Sequence, residues 1–535
     1  MGPMTIESDR AVPAASFRRD ANWFLAVLAT IAVVALHLYF LARIGGLWRD
    51  EVNSVNLAQG DWHNLAHDSF PVLFPLMLRG WSALGLGGSD LAARSFGVLM
   101  GLGLTAVFWL AAWWTRRAPP LWSPVLVALN AWVIYYAASL RAYGLGSAMI
   151  ALCAGAAWHF VESPGRKSWW FFTAAAVLSV QTLYQNSVLV AAVCAGASVV
   201  CLRRKQIKLT AAILLAGLVA ACSLLPYWRE FSGMSQGAAP LRMDFDRFVA
   251  FNNLDTLLAY PLPQFIWVWA ALVGLVFLRA GIGFFSVRGE ARSLFAAVTL
   301  VVGAPAYWFF LSQANFPLQP WYFLPPVALA VVCLETSLPR PAGRFRALLW
   351  GGLAAAAAIS TIFAINVLDY RFTNVDLLAK KVSASAGKND FVVVTPWQVG
   401  ITFSRYFKSP CAWTTVPPLA DHSSHRYDLL LPEMQNTNAM QPVLARIADT
   451  LRAGGTVWVV GGINQPGGTH APKSLPPPPL PASGWNETPY RITWNDQLGW
   501  LLRTSSTNIE TLRLDNHQDV NLESVTLSKV TGWKN

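Results

Sequence analysis

The chain has 535 residues, of which 54% are hydrophobic and only 13% are charged, and its formal net charge is +12. Ordinary soluble domains carry roughly 25% charged residues, so this composition excludes a soluble globular protein and indicates a polytopic membrane protein. The basic residues lie mostly in short loops between apolar runs, where their excess indicates membrane orientation rather than nucleic-acid binding.

The first apolar run covers residues 23–41 and is long enough to cross the hydrocarbon core. It is followed by Arg43 and not by a small-residue cleavage site, so we interpret it as a retained membrane span rather than a signal peptide. The basic pair Arg18 and Arg19 precedes the span and predicts a cytoplasmic N-terminus.

The loop after this span, residues 45–90, is then predicted to lie outside the cytoplasm. It contains two adjacent carboxylates, Asp50 and Glu51, beside Arg49. A carboxylate at the mouth of a membrane span is costly unless it is solvated, paired or used in function. Later in the loop, residues 70–86 are partly apolar but interrupted by prolines, which predicts short helices at the membrane interface.

Ten further apolar runs of near-spanning length follow, and with the first run they predict about eleven transmembrane helices. These runs cover residues 91–114, 121–136, 141–166, 169–183, 187–202, 209–225, 263–279, 293–311, 322–334 and 347–367. Before residue 369, all the lysines fall in loops on the predicted cytoplasmic side: Lys167, Lys205 and Lys208. Their placement supports this orientation.

The predicted outer loops, by contrast, contain arginines and no lysines: Arg43, Arg49, Arg79, Arg141, Arg229, Arg242 and Arg247. Arginine is always charged and binds phosphate through a planar fork of donors. An outer face with arginine alone therefore indicates a phosphorylated ligand. The alternative is that these arginines form ion pairs with the nearby acidic residues Glu230, Asp244 and Asp246.

After residue 367 the composition becomes that of a soluble protein. Residues 391–394 and 457–460 are apolar runs typical of buried strands, and residues 439–451 are typical of a helix. Alternating strands and helices predict a small α/β domain, which the span count places outside the cytoplasm. We therefore expect a transmembrane domain at residues 1–368 and an extracytoplasmic domain at residues 369–535.

Asp50 is the best candidate for a general base in the sequence. It follows the first span closely, so partial desolvation at the membrane surface is expected to raise its pKa. Glu51 and Arg49 can orient or tune the carboxylate. The alternative interpretation is a solvated acidic loop without a catalytic role.

The motifs around Asp50 resemble those of a known superfamily. The sequence Trp48-Arg49-Asp50-Glu51 after the first span is similar to the Asp-Glu motif of GT-C membrane glycosyltransferases, closest to the protein O-mannosyltransferase and aminoarabinose-transferase branches. The same loop continues in the family's order, with 70–74 (Phe-Pro-Val-Leu-Phe), Trp81, Gly88-Ser89 and Arg94-Ser95. Phe70 stands where these branches carry a basic residue.

Two later elements extend the resemblance, which covers about residues 23–367. Arg141-Ala142-Tyr143 is similar to the family's Glu-Ala-Arg-x-Tyr element, although Ser139 stands where many members carry the acid. Residues 320–325 are similar to an Arg-Tyr-Leu-Pro element of the family. Tyr322 matches the tyrosine of that element, and Trp321 stands in place of its arginine.

The resemblance implies an inverting transfer of a sugar from a polyprenyl-phosphate donor to a lipid, glycan or protein acceptor, in a bacterial inner membrane. Asp50 and Glu51 are the implied catalytic residues. The implied substrate-binding residues are Arg49, Arg141, Tyr143, Arg242, Arg247 and Tyr322. No metal is required, since arginine can stabilise a monophosphate leaving group.

Two alternatives to a transferase stay open at this point. A transporter or lipid flippase also needs charge at membrane depth, but it is expected to show inverted repeats and broken paired spans, and neither is clear in the sequence. A catalytically inactive scaffold that presents the external domain is the other alternative.

Asp421, His422 and His425 have a metal-like spacing, but their loop context and the lack of a cysteine partner argue against a metal site.

Overall fold

A computed structural model describes residues 13–61, 70–227, 239–285, 291–338, 346–467, 470–514 and 518–534. Its first part is helical. The helices are α1 (Pro13–Arg43), α2 (Arg49–Gln59), α3 (Leu73–Trp81), α4 (Asp90–Arg116), α5 (Ala131–Ala137), α6 (Ala142–Glu162), α7 (Arg166–Val180), α8 (Asn186–Arg203), α9 (Ile207–Cys222), α10 (Arg247–Leu258), α11 (Phe265–Phe285), α12 (Ala291–Ala314), α13 (Leu324–Ser337) and α14 (Arg346–Leu368). Short π-helical or 3₁₀ segments lie at Ser82–Leu86, Pro124–Ala128, Leu225–Tyr227, Ala239–Leu241 and Pro320–Phe323.

Eight helices of the described residues are long and apolar enough to cross a membrane: α1, α4, α6, α8, α9, α11, α12 and α14. The helix α6 is the most enclosed of them, since 83% of its apolar window is buried within the protein. The other helices therefore surround α6 and leave it little contact with lipid.

The remaining three predicted spans correspond to shorter helices. The run 121–136 is divided at Asn130, whose side chain accepts the Trp132 amide at 3.0 Å and donates to the Leu257 carbonyl at 2.6 Å. The helices α7 and α13 have 15 and 14 residues. Nearly all of α13 is buried, so its length need not match the lipid thickness.

The second part is the predicted α/β unit. Its elements are β1 (Arg371–Thr373), α15 (Val375–Ser385), β2 (Phe391–Val394), α16 (Val399–Tyr406), β3 (Ala412–Thr415), α17 (Tyr427–Gln435), α18 (Gln441–Arg452), β4 (Val457–Val460), α19 (Thr488–Ser505), β5 (Ser506–Leu512), β6 (Val520–Glu523) and β7 (Leu527–Trp533). Five strands form one sheet in the order β3-β2-β4-β7-β5, and β1 pairs with β6 in a separate two-stranded ribbon. The predicted strands 391–394 and 457–460 are β2 and β4.

Parallel pairing explains why β2 and β4 were recognisable in the sequence. These strands pair in parallel with each other, and every residue of both is buried. A parallel strand covered on both faces has a continuous apolar sequence. β7 is antiparallel to β4 and β5 is antiparallel to β7, so the sheet is mixed.

The α/β unit packs against the end of the helical part that carries the α1–α2 turn. The Phe372 amide donates to the Ile44 carbonyl at 3.3 Å, and Arg43 pairs with Asp369 at 2.6 Å. Asp90, the first residue of α4, accepts hydrogen bonds from Arg405 and from the Tyr406 hydroxyl at 2.8 and 2.6 Å. The α/β unit and the loop that contains Asp50 therefore lie on the same side of the membrane.

This common side generates a topology prediction. A periplasm-active reporter enzyme fused after Asn535 is expected to be active, whereas the same reporter fused after Lys205, between α8 and α9, is expected to be inactive. The lysine positions support this orientation. The measurement is reporter activity in intact cells, normalised to the amount of fusion protein. Activity of the Lys205 fusion with an inactive Asn535 fusion would contradict the predicted orientation.

Candidate active site at the start of helix α2

The helix α2 begins immediately after the turn that leaves α1. Its first turn carries Asp50 and Glu51, and carboxylates are favoured there because the helix N-terminus has a partial positive charge. Glu51 Oε2 also accepts the backbone N–H of the N-cap residue Trp48, at 3.4 Å. The sequence around the motif thus starts a helix at the membrane surface.

Glu51 points into the protein and is fully buried. It forms an ion pair with Arg94 of α4, which is also buried. Its Oε1 atom accepts the Leu140 amide at 2.9 Å, while Arg94 donates to the carbonyls of Gly45 and Gly46 at 2.5 and 3.0 Å. Glu51 therefore fixes the start of α2 and does not face the cavity beside Asp50.

Asp50 points in a different direction, as expected for adjacent residues. Its Oδ1 atom lies 3.2 Å from His425 Nε2 and 3.5 Å from Arg49 Nε, and its Oδ2 atom lies 3.8 Å from an Arg141 terminal nitrogen. The Asp50 side chain is 18% exposed. The carboxylate thus lies in a partly solvated position surrounded by cationic or hydrogen-bonding groups.

The expected rise in the pKa of Asp50 is wrong. Burial by itself would raise the pKa, but the charge of Arg141, the hydrogen bond from His425 and the charge of Arg49 outweigh burial and hold the pKa well below its usual range. Desolvation alone predicts a rise in the pKa, whereas the fold also brings Arg141 and His425 near Asp50. The group is therefore a carboxylate at neutral pH.

Arg141, the residue before α6, is held in place by several contacts. Its terminal nitrogen Nη1 donates to the Asp50 carbonyl and to the Ser54 hydroxyl, both at 3.1 Å. Its guanidinium lies 4.6 Å from the centre of the Phe70 ring, a cation–π distance. Phe70, which replaces a basic residue of the similar family, thus supports the arginine of the next element.

Beside Asp50 lies a small cavity of about 10 Å³. Its wall consists of Trp48, Asp50, Tyr136, Ser139, Arg141, Tyr143, Trp321, Phe372 and Leu522. The last two belong to the α/β unit, from strands β1 and β6, so both parts of the chain enclose the cavity. This volume has room for about one water molecule.

The predicted substrate-binding tyrosines lie at two depths. Tyr143 lines the cavity and packs edge-to-face on Phe70, with ring centres 5.4 Å apart. Tyr322 lies behind it, 5.8 Å from the Tyr143 ring, and does not line the cavity. Trp321, which replaces an arginine of the similar family, does line the cavity and packs on Trp48 at 6.0 Å.

The other predicted outer arginines do not line this cavity. Arg242 and Arg247 are exposed, and Arg247 lies over its neighbour Phe248 at 5.0 Å. Arg79 donates to the Ala58 and Gly60 carbonyls, and Arg43 pairs with Asp369. Arg229 lies outside the described residues. Of the described outer arginines, Arg49 and Arg141 lie beside the Asp50 carboxylate.

Arg49 points toward the α/β unit, where it interacts electrostatically with Glu523, Tyr427 and Glu487. Burial raises the pKa of Glu523 to about 7, although hydrogen bonds from Thr402 and Thr373 at 2.8 Å act in the opposite direction. Burial also raises the pKa of Glu487. Arg49 therefore links Asp50 to a buried acidic region of the α/β unit.

Sequence reasoning missed His425 as a partner of Asp50. It considered Asp421, His422 and His425 together, as a possible metal site. In the described part of the chain, no group of three His, Cys, Asp or Glu side chains is placed to hold a metal ion. The polar side chains of this loop were a signal of function in the sequence. Nothing in the sequence, however, related His425 to Asp50, which lies 375 positions earlier.

No family model and no curated protein sequence matches the chain. Solved structures do match. ArnT from Cupriavidus metallidurans bound to undecaprenyl phosphate aligns with 82% of this chain and 93% of its own, at 12% identity and a TM-score of 0.51. The Archaeoglobus fulgidus oligosaccharyltransferase in the apo form aligns with 84% of this chain and 70% of its own, at 11% identity and a TM-score of 0.51.

A second structure of the archaeal enzyme, tethered to an acceptor peptide with an NVT sequon, gives a TM-score of 0.50 at 10% identity, covering 84% of this chain and 70% of that one. These similarities extend over the helical part and into the α/β unit, since they include more than four fifths of the chain. They confirm the predicted fold class, a GT-C-like polytopic helical membrane protein with a C-terminal α/β unit.

The burial of Glu51 and Arg94 generates a stability prediction. Glu51→Ala leaves the Arg94 charge buried without its partner, which is expected to lower the free energy of unfolding by about 3–5 kcal/mol. Glu51→Gln retains hydrogen-bonding capacity and is expected to be milder. Thermal unfolding of the purified protein in detergent measures both effects.

The exposed pair Arg43–Asp369 provides the control, because its side chains are 43% and 39% exposed. Asp369→Ala is expected to leave the melting temperature nearly unchanged. Equal destabilisation by Glu51→Ala and Asp369→Ala would show that the Glu51–Arg94 pair is not specially important for folding.

Proposed function

We propose that this integral membrane protein of the GT-C fold transfers a sugar from a polyprenyl-phosphate donor to an extracytoplasmic acceptor, with inversion at the anomeric carbon. In this proposal residues 1–368 form the transferase domain and residues 369–535 form an extracytoplasmic domain. The observation that carries the proposal is the position of Asp50, which borders a cavity between the two parts of the chain and has Arg141 beside one carboxylate oxygen. The ArnT structure with undecaprenyl phosphate supports the donor class.

The proposed reaction needs a base that accepts the proton of the acceptor hydroxyl and a cation that stabilises the departing phosphate. The acceptor hydroxyl transfers its proton to Asp50 while its oxygen forms a bond to the anomeric carbon. The bond between that carbon and the phosphate oxygen breaks, and the electron pair leaves with the polyprenyl phosphate. Arg141 is the cation closest to Asp50 Oδ2 on the cavity wall, and its fork of donors suits the departing phosphate.

The aromatic wall has two effects on this reaction. Trp48, Tyr143 and Trp321 line the cavity with apolar rings, which exclude water from the reacting groups. Small-molecule pockets usually have volumes of about 300–1,000 Å³, whereas this cavity has about 10 Å³. Binding a sugar therefore requires the wall to open. The edge-to-face contact of Trp48 with Phe372, whose ring centres are 6.1 Å apart, joins the two parts of the chain at this wall.

The experiment that identifies the substrates begins with a strain that lacks the gene. Mass spectrometry of its lipid-linked sugars and envelope glycans is expected to show an accumulated polyprenyl-phosphate sugar and a missing sugar on the acceptor. The accumulated lipid then serves as the donor for purified protein in liposomes. An unchanged set of lipid-linked sugars and glycans would contradict the proposed function.

The first activity prediction concerns Asp50. Asp50→Asn preserves the shape and the polar contacts but cannot accept a proton, so transfer is expected to fall by roughly 10²–10⁴-fold. Binding of undecaprenyl phosphate is expected to persist, because a neutral amide does not repel phosphate. Glu51→Gln, at a buried position next in the chain, is expected to have the smaller effect on turnover. Transfer at the wild-type rate by Asp50→Asn would exclude Asp50 as the base.

The second activity prediction concerns Arg141. Arg141→Lys retains the charge but loses the planar fork, and Arg141→Ala loses both, so transfer is expected to fall in that order, by on the order of 10²-fold for alanine. The binding of undecaprenyl phosphate should weaken in parallel. Arg43→Lys, an outer arginine away from the cavity, is the matched control and is expected to retain activity.

Arg242→Lys and Arg247→Lys measure whether Arg242 or Arg247 shares the phosphate with Arg141, as the sequence predicts. Near-normal activity of Arg141→Ala would show that the phosphate is bound elsewhere.

A further inference from the structure

The loop between β3 and α17 crosses from the α/β unit to helix α2. It makes two contacts with α2 besides the one to Asp50: the His425 amide donates to Asn53 Oδ1 at 3.1 Å, and Asn56 donates to the Ser423 carbonyl at 2.7 Å. The loop thus follows α2 for two helical turns, and His425 reaches Asp50 from a fixed backbone position.

The imidazole ring of His425 is held by aromatic neighbours. It lies nearly parallel to the Tyr427 ring, with centres 6.0 Å apart and an angle of 10°, and edge-to-face with Trp397 at 6.2 Å. Trp397 is buried and is itself bonded to Glu487 through its indole nitrogen at 3.2 Å. Since both its backbone and its ring are fixed, His425 presents Nε2 to Asp50 in one orientation.

We propose that His425 is a positioning residue for Asp50, in which Nε2–H binds Oδ1 and thereby leaves Oδ2 directed at the acceptor hydroxyl. The inference rests on the proposed function, because it assigns a role within the same proton transfer. It also means that the α/β unit completes the active site, since residue 425 belongs to that unit.

The contacts of the two carboxylate oxygens support this division of roles. Oδ1 has the shorter contacts, to His425 at 3.2 Å and Arg49 at 3.5 Å, whereas the contact from Oδ2 to Arg141 is 3.8 Å. Oδ2 therefore has the longer contact and is more available to accept a proton. Arg141, its neighbour, lies in the wall of the cavity that Asp50 borders. In the reaction the acceptor proton goes to Oδ2, and His425 keeps its own proton.

The proton of the imidazole is placed on Nε2 for an electrostatic reason. With the proton there, the ring donates a charge-assisted hydrogen bond to the carboxylate. The other tautomer would direct a nitrogen lone pair at a carboxylate oxygen. Nδ1 is buried and has no hydrogen-bond partner among the described residues, so that tautomer would also leave a buried N–H donor unpaired.

The test compares two substitutions of His425 with a matched control. His425→Phe retains a planar ring for Tyr427 and Trp397 but has no donor, so kcat is expected to fall, by up to about 10²-fold, while KM for the accumulated lipid donor stays unchanged. His425→Gln places an amide donor near the position of Nε2 and is expected to recover a large part of kcat. His422→Gln, three residues earlier in the same loop, is expected to behave as wild type, because His422 packs on Trp413 and not on Asp50.

The remaining outcomes separate this inference from the proposed function. Wild-type kcat in His425→Phe, or equal losses in His425→Gln and His425→Phe with lowered melting temperatures in both, would overturn the positioning role while leaving the transferase intact. Absence of transfer by the wild-type protein, with the lipid that accumulates in the deletion strain, would instead reject the proposed function itself.

Discussion

The buried ion pair between Glu51 and Arg94 is the constraint on which the site depends. Arg94 also binds the carbonyls of Gly45 and Gly46, and Glu51 also binds the Leu140 amide, so one pair joins the α1–α2 turn, α4 and the segment before α6. A buried charge that loses its partner is strongly unfavourable, which holds these three segments at one spacing. Asp50 follows the first of these segments directly, and Arg141 belongs to the last. Their separation at the cavity therefore depends on this buried pair as well as on the contacts between Asp50 and Arg141 themselves.

This division between neighbouring residues accounts for the acidic pair in the motif. A helix directs successive side chains about 100° apart, so Asp50 and Glu51 cannot both face the cavity. Glu51 faces the interior, where its charge is compensated, and Asp50 faces the region shared with the α/β unit. A single carboxylate would have to position the helix and also remain available for a proton, and these requirements conflict.

The parts that could be predicted from the sequence are those with a local signal. The apolar runs predict the spans, and the all-apolar strands β2 and β4 predict the centre of the sheet. Strand β5 lies at the edge of the sheet, and its residues are mostly exposed and polar. Its sequence therefore resembles that of a loop. The partners of Asp50 and Glu51 are a different case. Arg94 lies 43 residues after Glu51, and His425 lies 375 residues after Asp50. Both contacts form only because distant parts of the chain pack against α2 in the fold. The periodicity of the sequence does not predict this packing.

In the proposed reaction, the charges around Asp50 would also determine when this carboxylate can act as a base. In the structure Arg141, His425 and Arg49 hold its pKa low, which makes the resting carboxylate a weak proton acceptor. A phosphate bound at Arg141 would compensate part of that positive charge and add its own negative charge nearby, and both changes raise the proton affinity of Asp50. In the proposed reaction, donor binding would therefore increase the base strength of Asp50, because the phosphate that departs would already lie beside the carboxylate.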